Sequence, residues 1–366
     1  MKRNILLNPG PATTSQSVKE AQVVPDICPR EKEFGDLMQE VALGLTRVVA
    51  DEKEYDTVLF GGSGTAAVEA VLSSVVPPTG TVFVVNNGAY GNRMCEILDA
   101  YHISYVEMKS SPFEPLDLQK LDTLLAEHKE HFHITHLAVI HSETTSGLLN
   151  DVAAIGEIAR RHEIELIVDA MSSYGAIPIR MNEMGITYLV SSSNKNLQGM
   201  AGISFVVANK KALLATAELP KRNYYLHLYS QYIYLKEHNQ LRFTPPVQTF
   251  YALRQALREL EEETVLGRYQ RYTANWETLL EGLYSLQLTT LVDRDCQSHI
   301  ITTIAYPDRA GFDFDEMHDY LYERGYTIYP GKVSDTATFR IANIGDLKPS
   351  DIKGFLGALK EYLESL

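Results

Sequence analysis

From residue 56 to about residue 210, short β-rich runs alternate with helical patterns, and this rhythm restricts the fold more than any other feature of the chain. DTVLF precedes TAAVEAVLSSVV, TVFVVNN precedes GNRMCEILDAYH, and ISYVEM precedes LQKLDTLLAEHKEHF. THLAVIHSE, DVAAIGEIARRH, IELIVDAM, YLVSSSN and ISFVVAN continue the series. The strand runs are apolar at nearly every position rather than at every second one, as in strands covered by helices on both faces. Parallel strands need crossovers of a dozen or more residues, which the intervening helices supply. The expected fold is therefore α/β with a large, mostly parallel sheet, whose ligand-binding residues gather where the strands end. With 366 residues there is room for a second unit. Residues 220–240 turn aromatic and irregular, and Pro245 and Pro246 then precede one long helical stretch to about residue 285, read as a bridge. Strand patterns at SHIITTIAY, YTIYP and TFRIANI, separated by helices, predict a small α+β domain beyond it.

Charge narrows the function. Lys and Arg total 33 against 47 Asp and Glu, a net −14 that repels a nucleic-acid backbone, so any bound anion needs a local pocket. Cys28, Cys95 and Cys296 are scattered without a CxxC pair, which suggests neither a disulfide framework nor a cysteine zinc site and fits a reducing cytoplasm. The apolar stretch Ile5–Leu7 is stopped by Asn8-Pro9-Gly10-Pro11, too short for a signal-peptide core, and no run is long enough to span a membrane. His128, His131, His133 and His136 lack a zincin-type pair with an acid and read as a solvated face, so no metal is expected. The acidic run Glu259–Glu263 reads the same way.

Three features carry chemistry. Gly61-Gly62-Ser63-Gly64-Thr65-Ala66-Ala67 follows a strand and opens a helix, as a phosphate cradle does: glycines admit the anion, helix-start N–H groups face it, and the Ser63 and Thr65 hydroxyls add donors. A nucleotide P-loop would end in Gly-Lys-Ser/Thr, which is absent. Gly62, Gly64 and Ala67 satisfy a dinucleotide G-x-G-x-x-A, but the next strand ends in Asn86-Asn87 where that reading wants an acid. Asp169 closes IELIVDAM, and Lys195 follows 26 residues later in SSSNKNLQG. A carboxylate and an amine at strand ends, together with a phosphate cradle, are what pyridoxal phosphate chemistry requires: the lysine forms the Schiff base and the carboxylate keeps the pyridine nitrogen protonated.

The set GSGTAAVEA, NNGAYGNR, HSETTSG, VDAMSSYG, SSNKNLQG, FTPPVQT and FRIANIG, in that order and spacing and preceded by LLNPGPATTS, resembles the class V aminotransferases nearly end to end. The resemblance implies a fold type I pyridoxal 5'-phosphate enzyme that works as a homodimer. It implies a large cofactor-binding domain over residues 15–250 and a small domain, with the bridging helix, from residues 1–14 and 251–366. Lys195 matches the Schiff-base lysine and Asp169 the partner of the pyridinium nitrogen. Ser63, Gly64 and Thr65 match the phosphate cradle, aided by Asn194, and Tyr90 the aromatic ring stacked on the cofactor, where many relatives have Trp. Thr144 resembles the hydroxyl residue that bonds the cofactor ring oxygen, with adjacent Thr145 as the alternative. Thr244 matches a residue that reaches the phosphate of the neighbouring subunit, and Arg340 the arginine that grips the substrate acid group, chemistry suited to a planar guanidinium. HSETTSG, YPGK and FRIANIGD together imply amino transfer from 2-aminoethylphosphonate to pyruvate. Alanine– or serine–glyoxylate aminotransfer and a cysteine-directed lyase are alternatives within the family; a dinucleotide-binding oxidoreductase and a cofactor-free binding protein are alternatives outside it. Arg30, Lys32 and Lys332 are basic residues that could help neutralise a phosphonate but are read as solvated surface charges.

Overall fold

The computed structural model describes residues 4–331 and 337–366, and Lys332 lies outside the described residues. The strands are β1 (Ile5–Leu6), β2 (Tyr55–Gly61), β3 (Thr81–Asn86), β4 (Ser104–Lys109), β5 (Ile134–Ile140), β6 (Ser142–Glu143), β7 (Leu148–Leu149), β8 (Glu165–Asp169), β9 (Ile186–Ser192), β10 (Ile203–Asn209), β11 (Ile301–Ala305), β12 (Tyr326–Thr327), β13 (Tyr329–Pro330) and β14 (Thr338–Ala342). The helices are α1 (Gln16–Glu20), α2 (Lys32–Val49), α3 (Gly64–Val75), α4 (Ala89–Ala100), α5 (Leu118–Lys129), α6 (Val152–Arg161), α7 (Lys210–Ala215), α8 (Leu228–His238), α9 (Val247–Glu263), α10 (Val265–Ser285), α11 (Phe314–Glu323) and α12 (Pro349–Glu364).

The large sheet has seven strands in the order β2-β10-β9-β8-β5-β3-β4. Only β10 runs against its neighbours, with Phe205 opposite Leu59 on β2 and Ser191 on β9. All the other strands therefore end at one edge. Alternate residues serve opposite faces, as the strand period requires. Leu59, Phe83, Val85, Leu137, Val168 and Phe205 pack under α2, α5, α6 and α9, while Val58, Val82, Val84, Ile167 and Val206 pack under α3, α4 and α8. Burial on both faces explains why these strands read as unbroken apolar runs. A separate core joins Trp276, Leu279, Leu283, Phe339, Phe355 and Leu359 with Ile5 and Leu7 from the other end of the chain. We propose the division into residues 15–250 and residues 1–14 with 251–366 on the support of these separate cores, with the bridging α9 packing Tyr251, Leu253 and Leu260 into the large-sheet core.

Residues 5–13 strap the two regions together. β1 pairs in parallel with β12, Leu7 N–H donates to Thr327 O and Ala342 N–H to Leu7 O, while Ala12 N–H donates to Asn194 O beside Lys195.

Four readings of the sequence need correction. The irregular stretch at 220–240 contains α8, which buries Leu228, Gln231, Tyr232 and Leu235 against the large sheet. The long helix to 285 is two helices broken at Thr264, whose φ is +65° and whose hydroxyl caps α10 by accepting from Gly267 N–H. His136 is buried on β5 rather than solvated, with Nε2 3.1 Å from Glu165. Glu263 is no free surface charge: it accepts from buried Arg268 at 2.7 Å and from Arg271 at 2.6 Å. Arg268 also donates to the carbonyl of Asn196 at 2.6 Å, which fixes the loop that carries Lys195. Removing one partner of a buried ion pair leaves an uncompensated charge, so Glu263→Ala should destabilise the chain by about 3 kcal/mol. Equilibrium urea unfolding checks this, and a loss below about 1 kcal/mol would show Arg268 to be compensated elsewhere.

Candidate active site

The C-terminal edge of the large sheet opens into a cavity of about 490 Å³ lined by Ser63, Gly64, Thr65, Tyr90, Asp169, Asn194 and Lys195, together with Arg93 and Met171. Each comes from the end of a strand or the start of the helix that follows it. β2 delivers Ser63, the N-cap of α3, whose side chain makes no capping hydrogen bond and remains available. β3 leads to Gly88 and the first turn of α4, which carries Tyr90 and, three residues on, Arg93. β8 ends at Asp169, and the connection from β9 to β10 carries Asn194 and Lys195.

Asp169 is buried, and its Oδ1 accepts from Met171 N–H at 2.8 Å. Loss of water is the main cause that pushes its carboxyl up to about 6; Glu143 adds to the rise, whereas the Met171 N–H, Lys195 and Arg93 oppose it. Lys195 Nζ donates to the carbonyl of Pro9 at 2.6 Å. The strap lies so close there that a Cβ on Gly10 would sit 2.5 Å from Lys195 Cδ, and Gly10 has φ +136°, where a side chain is strained in any case. Asn194 accepts from Ser192 Oγ at 3.0 Å. Arg93 lies 4.9 Å over the Tyr90 ring, with Nη1 3.4 Å from Thr65 Oγ1 and no carboxylate within ion-pair distance among the described residues.

Thr144, Arg340 and Thr244 do not line this cavity. Arg340 is buried on β14, donating from Nε to Pro330 O at 3.0 Å and from Nη1 to Thr144 O at 2.8 Å. Burial lowers its pKa, which Tyr90, Glu143 and Tyr329 oppose. Its Nη2 makes no protein hydrogen bond among the described residues and stays free for an anion. Thr145 Oγ1 is taken by Glu143 and by Ala89 N–H, whereas no such bond engages the Thr144 hydroxyl. Thr244 is exposed beside Gly61 and Tyr225. Arg30 donates to the carbonyls of Leu241 and Arg242 and so holds the approach to Thr244, and Lys32 pairs with Asp36 at 2.6 Å on the surface.

A ligand with a phosphate at one end and a protonated ring nitrogen at the other suits this donor set. The free N-terminus of α3 and the unspent Ser63 hydroxyl meet the first, the free Oδ2 of Asp169 the second, and the face of Tyr90 lies between. The family model "Aminotransferase class-V" matches residues 16–344, so the chain belongs to the class V aminotransferases, and its cofactor is pyridoxal 5'-phosphate. It is 40% identical to the 2-aminoethylphosphonate–pyruvate transaminase of Phocaeicola vulgatus, over 98% of this chain and 99% of that one. It is also 40% identical to the bifunctional phosphonoacetaldehyde hydrolase/aminoethylphosphonate transaminase of Clostridioides difficile, of which it spans 56%. The solved alanine–glyoxylate aminotransferase of Nostoc sp. superposes with a TM-score of 0.92 at 27% identity, covering 99% of this chain and 96% of that one.

Arg93, Glu143 and the Pro9 carbonyl were not singled out in the sequence. Arg93 was detectable, because a residue three positions after Tyr90 shares its helix face. A backbone carbonyl leaves no side-chain signal.

The buried Asp169 carboxyl yields a prediction for the cofactor-free chain. Its folded pKa of about 6 exceeds the ordinary aspartate value of 3.8, so the folded form holds the proton more tightly. That stabilisation is complete below about pH 4 and lost as pH rises through about 6. Asp169→Asn, free of the buried charge, should therefore unfold at a higher temperature than the wild type at pH 8, with the advantage gone by pH 4. Equal melting temperatures at pH 8 would contradict the assigned burial cost.

Proposed function

We propose that this protein transfers the amino group of 2-aminoethylphosphonate to pyruvate, giving phosphonoacetaldehyde and L-alanine, as a cytoplasmic homodimer. The observation that carries the reading is the 40% identity to a 2-aminoethylphosphonate–pyruvate transaminase over essentially all of both chains, against 27% for the alanine–glyoxylate enzyme. The unpaired Cys28, Cys95 and Cys296 suit a reducing compartment, and no helix among the described residues is long and apolar enough to cross a membrane. The dimer is supported by Thr244, which is exposed and does not line its own cavity, and by the neighbouring Tyr224 and Tyr225, which are 76% and 43% exposed. An exposed aromatic patch of this kind suits an interface.

Bound pyridoxal phosphate supplies an aldehyde carbon that carries the amino group between two half-reactions and a ring that accepts an electron pair. Ser63, Gly64, Thr65 and Asn194 hold its phosphate, joined by Thr244 of the partner subunit, and Tyr90 covers the ring. Asp169 keeps a proton at the ring nitrogen, and the Thr144 hydroxyl serves the ring oxygen. Lys195 anchors the cofactor at rest. Once displaced, its Nζ takes the proton from the amine-bearing carbon of the donor and, in the second half-reaction, protonates the corresponding carbon of the acceptor. The strap over Lys195 restricts where that amine can move. Arg340 binds the phosphonate of one substrate and the carboxylate of the other in turn, since both must use one site and a guanidinium accommodates either anion.

Borohydride reduction of the holoenzyme followed by peptide mapping should place the pyridoxyl label on Lys195, and a label elsewhere would overturn the assignment. Rapid mixing should discharge the visible absorbance of the bound cofactor with 2-aminoethylphosphonate and with L-alanine, but far more slowly with L-serine. Faster reaction with serine would favour the glyoxylate alternative. Losing a desolvated charge-assisted contact costs about 2–5 kcal/mol, so Arg340→Lys should lower kcat/KM at least tenfold, by that measure, for both donor and acceptor. Cofactor affinity should change little, and unaltered kinetics for either substrate would remove Arg340 from the reading.

A further inference from the structure

We propose that Glu143 is a positioning residue: its buried carboxylate takes the place of a capping side chain at the start of α4 and locks the Tyr90 ring and the Arg340 guanidinium into one unit. The inference rests on the functional reading above, in which Tyr90 covers the cofactor and Arg340 binds the substrate anions.

Glu143 has no exposed surface. Its Oε1 accepts from Thr145 N–H at 2.8 Å and from Thr145 Oγ1 at 2.6 Å. The same Thr145 Oγ1 accepts from Ala89 N–H at 3.0 Å, and Ala89 is the first residue of α4. The N-cap position is Gly88, which has no side chain to offer the helix. A Cβ built there would lie 2.7 Å from Glu143 Oε2, so the carboxylate fills the space a capping side chain would use. Helix starts carry unsatisfied N–H groups and a partial positive charge, and an acceptor or anion against them is stabilising. Oε2 is buried beside this helix start, where burial raises the carboxyl pKa and the Thr145 hydroxyl and the N–H groups of Thr145 and Tyr90 oppose the rise. The capping thus comes from a residue 55 positions away in sequence, and it sets where the second residue of the helix, Tyr90, presents its ring.

The same segment reaches the small sheet. Thr144, between Glu143 and Thr145, accepts from Arg340 at 2.8 Å, and Thr303 Oγ1 on β11 donates to the carbonyl of Thr145 at 3.2 Å. Residues 143–145 are therefore bonded at once to the helix of the ring and to the strands of the anion-binding arginine. A structural glutamate buried elsewhere would affect folding alone. This one couples two binding determinants, so its loss should weaken cofactor and both substrate anions together.

Thr145 allows the mildest test, because Thr145→Val keeps the shape and removes the hydroxyl, whereas Thr145→Ser restores it. Thr145→Val should raise the dissociation constant of pyridoxal phosphate for the apo-chain at least tenfold. It should also raise KM for 2-aminoethylphosphonate and for pyruvate at least tenfold each, with a smaller change in kcat. Thr145→Ser should stay within threefold of wild type in all these quantities. Glu143→Ala should follow the valine variant. Glu143→Gln should fall between, since it keeps one acceptor but turns an amide donor toward the helix N–H groups. Wild-type cofactor affinity and KM values in a folded Thr145→Val variant, or a serine variant as impaired as the valine one, would overturn the proposal. If Glu143→Ala fails to fold, the Thr145 pair still decides. Cofactor affinity is measured without substrate, so wild-type enzyme inert toward 2-aminoethylphosphonate would refute the proposed reaction and leave this arm readable.

Discussion

Water is kept from the carboxylate of Asp169, and most of the cavity can be understood as an answer to that exclusion. An ionised group at the end of a buried strand, with a single peptide N–H to accept from, is costly unless opposite charge stands nearby. Lys195 and Arg93 stand nearby, while Glu143 works against it. A ligand that brings its own protonated nitrogen relieves the same cost. The site is therefore built to be completed by a cation at one end, although its other end, at the N-terminus of α3, is built for an anion. That polarity, imposed along a single cavity, determines which way round a cofactor with a phosphate and a pyridinium can lie.

The chain as a whole carries −14, yet its ligands are anionic. The conflict is resolved locally: helix α3 presents its positive end, Arg93 and Lys195 line the cavity at the strand ends, and Arg340 on β14 is bonded to Thr144 O. Arg340 shows how narrow the solution is. Two of its donors are spent on the carbonyls of Pro330 and Thr144, which fixes the plane of the guanidinium and leaves one free nitrogen. A rigid fork with donors to spare on one side tolerates anions of differing shape better than a flexible ammonium would.

What could be read in advance follows from what leaves a mark on side chains. The strands of the large sheet were legible because burial on both faces writes continuous apolar runs. That Lys195, Asp169 and the Ser63–Thr65 turn share one cavity was legible because each follows the end of a strand. Thr264 was not, because a threonine at φ +65° is set by the packing of α9 and α10 rather than by its own preference. α8 was hidden by its polar and aromatic composition, and only contact with β2 and α3 reveals its buried side. His136 and Glu263 read as surface because single charged residues usually are, whereas their partners, Glu165, Arg268 and Arg271, are distant or offset in sequence. The role of Pro9 rests on a carbonyl that every residue possesses.

The strap across Lys195 also orders events in time. Ile5, Leu7 and Thr13 are made well before their hydrogen-bond partners at Gly325, Thr327, Ala342 and Asp346, more than 300 residues later, whereas Ala12 pairs with the nearer Asn194. Contacts so far apart in sequence form slowly and only after the intervening chain has found its place. On a ribosome that supplies residues from one end, the seven-stranded sheet can assemble while the first segment still waits unpaired. The ends of the strap over Lys195 are then pinned only after residues 325–346 have emerged. Closure of the strap onto the small sheet is thus also the step that confines the Lys195 side chain.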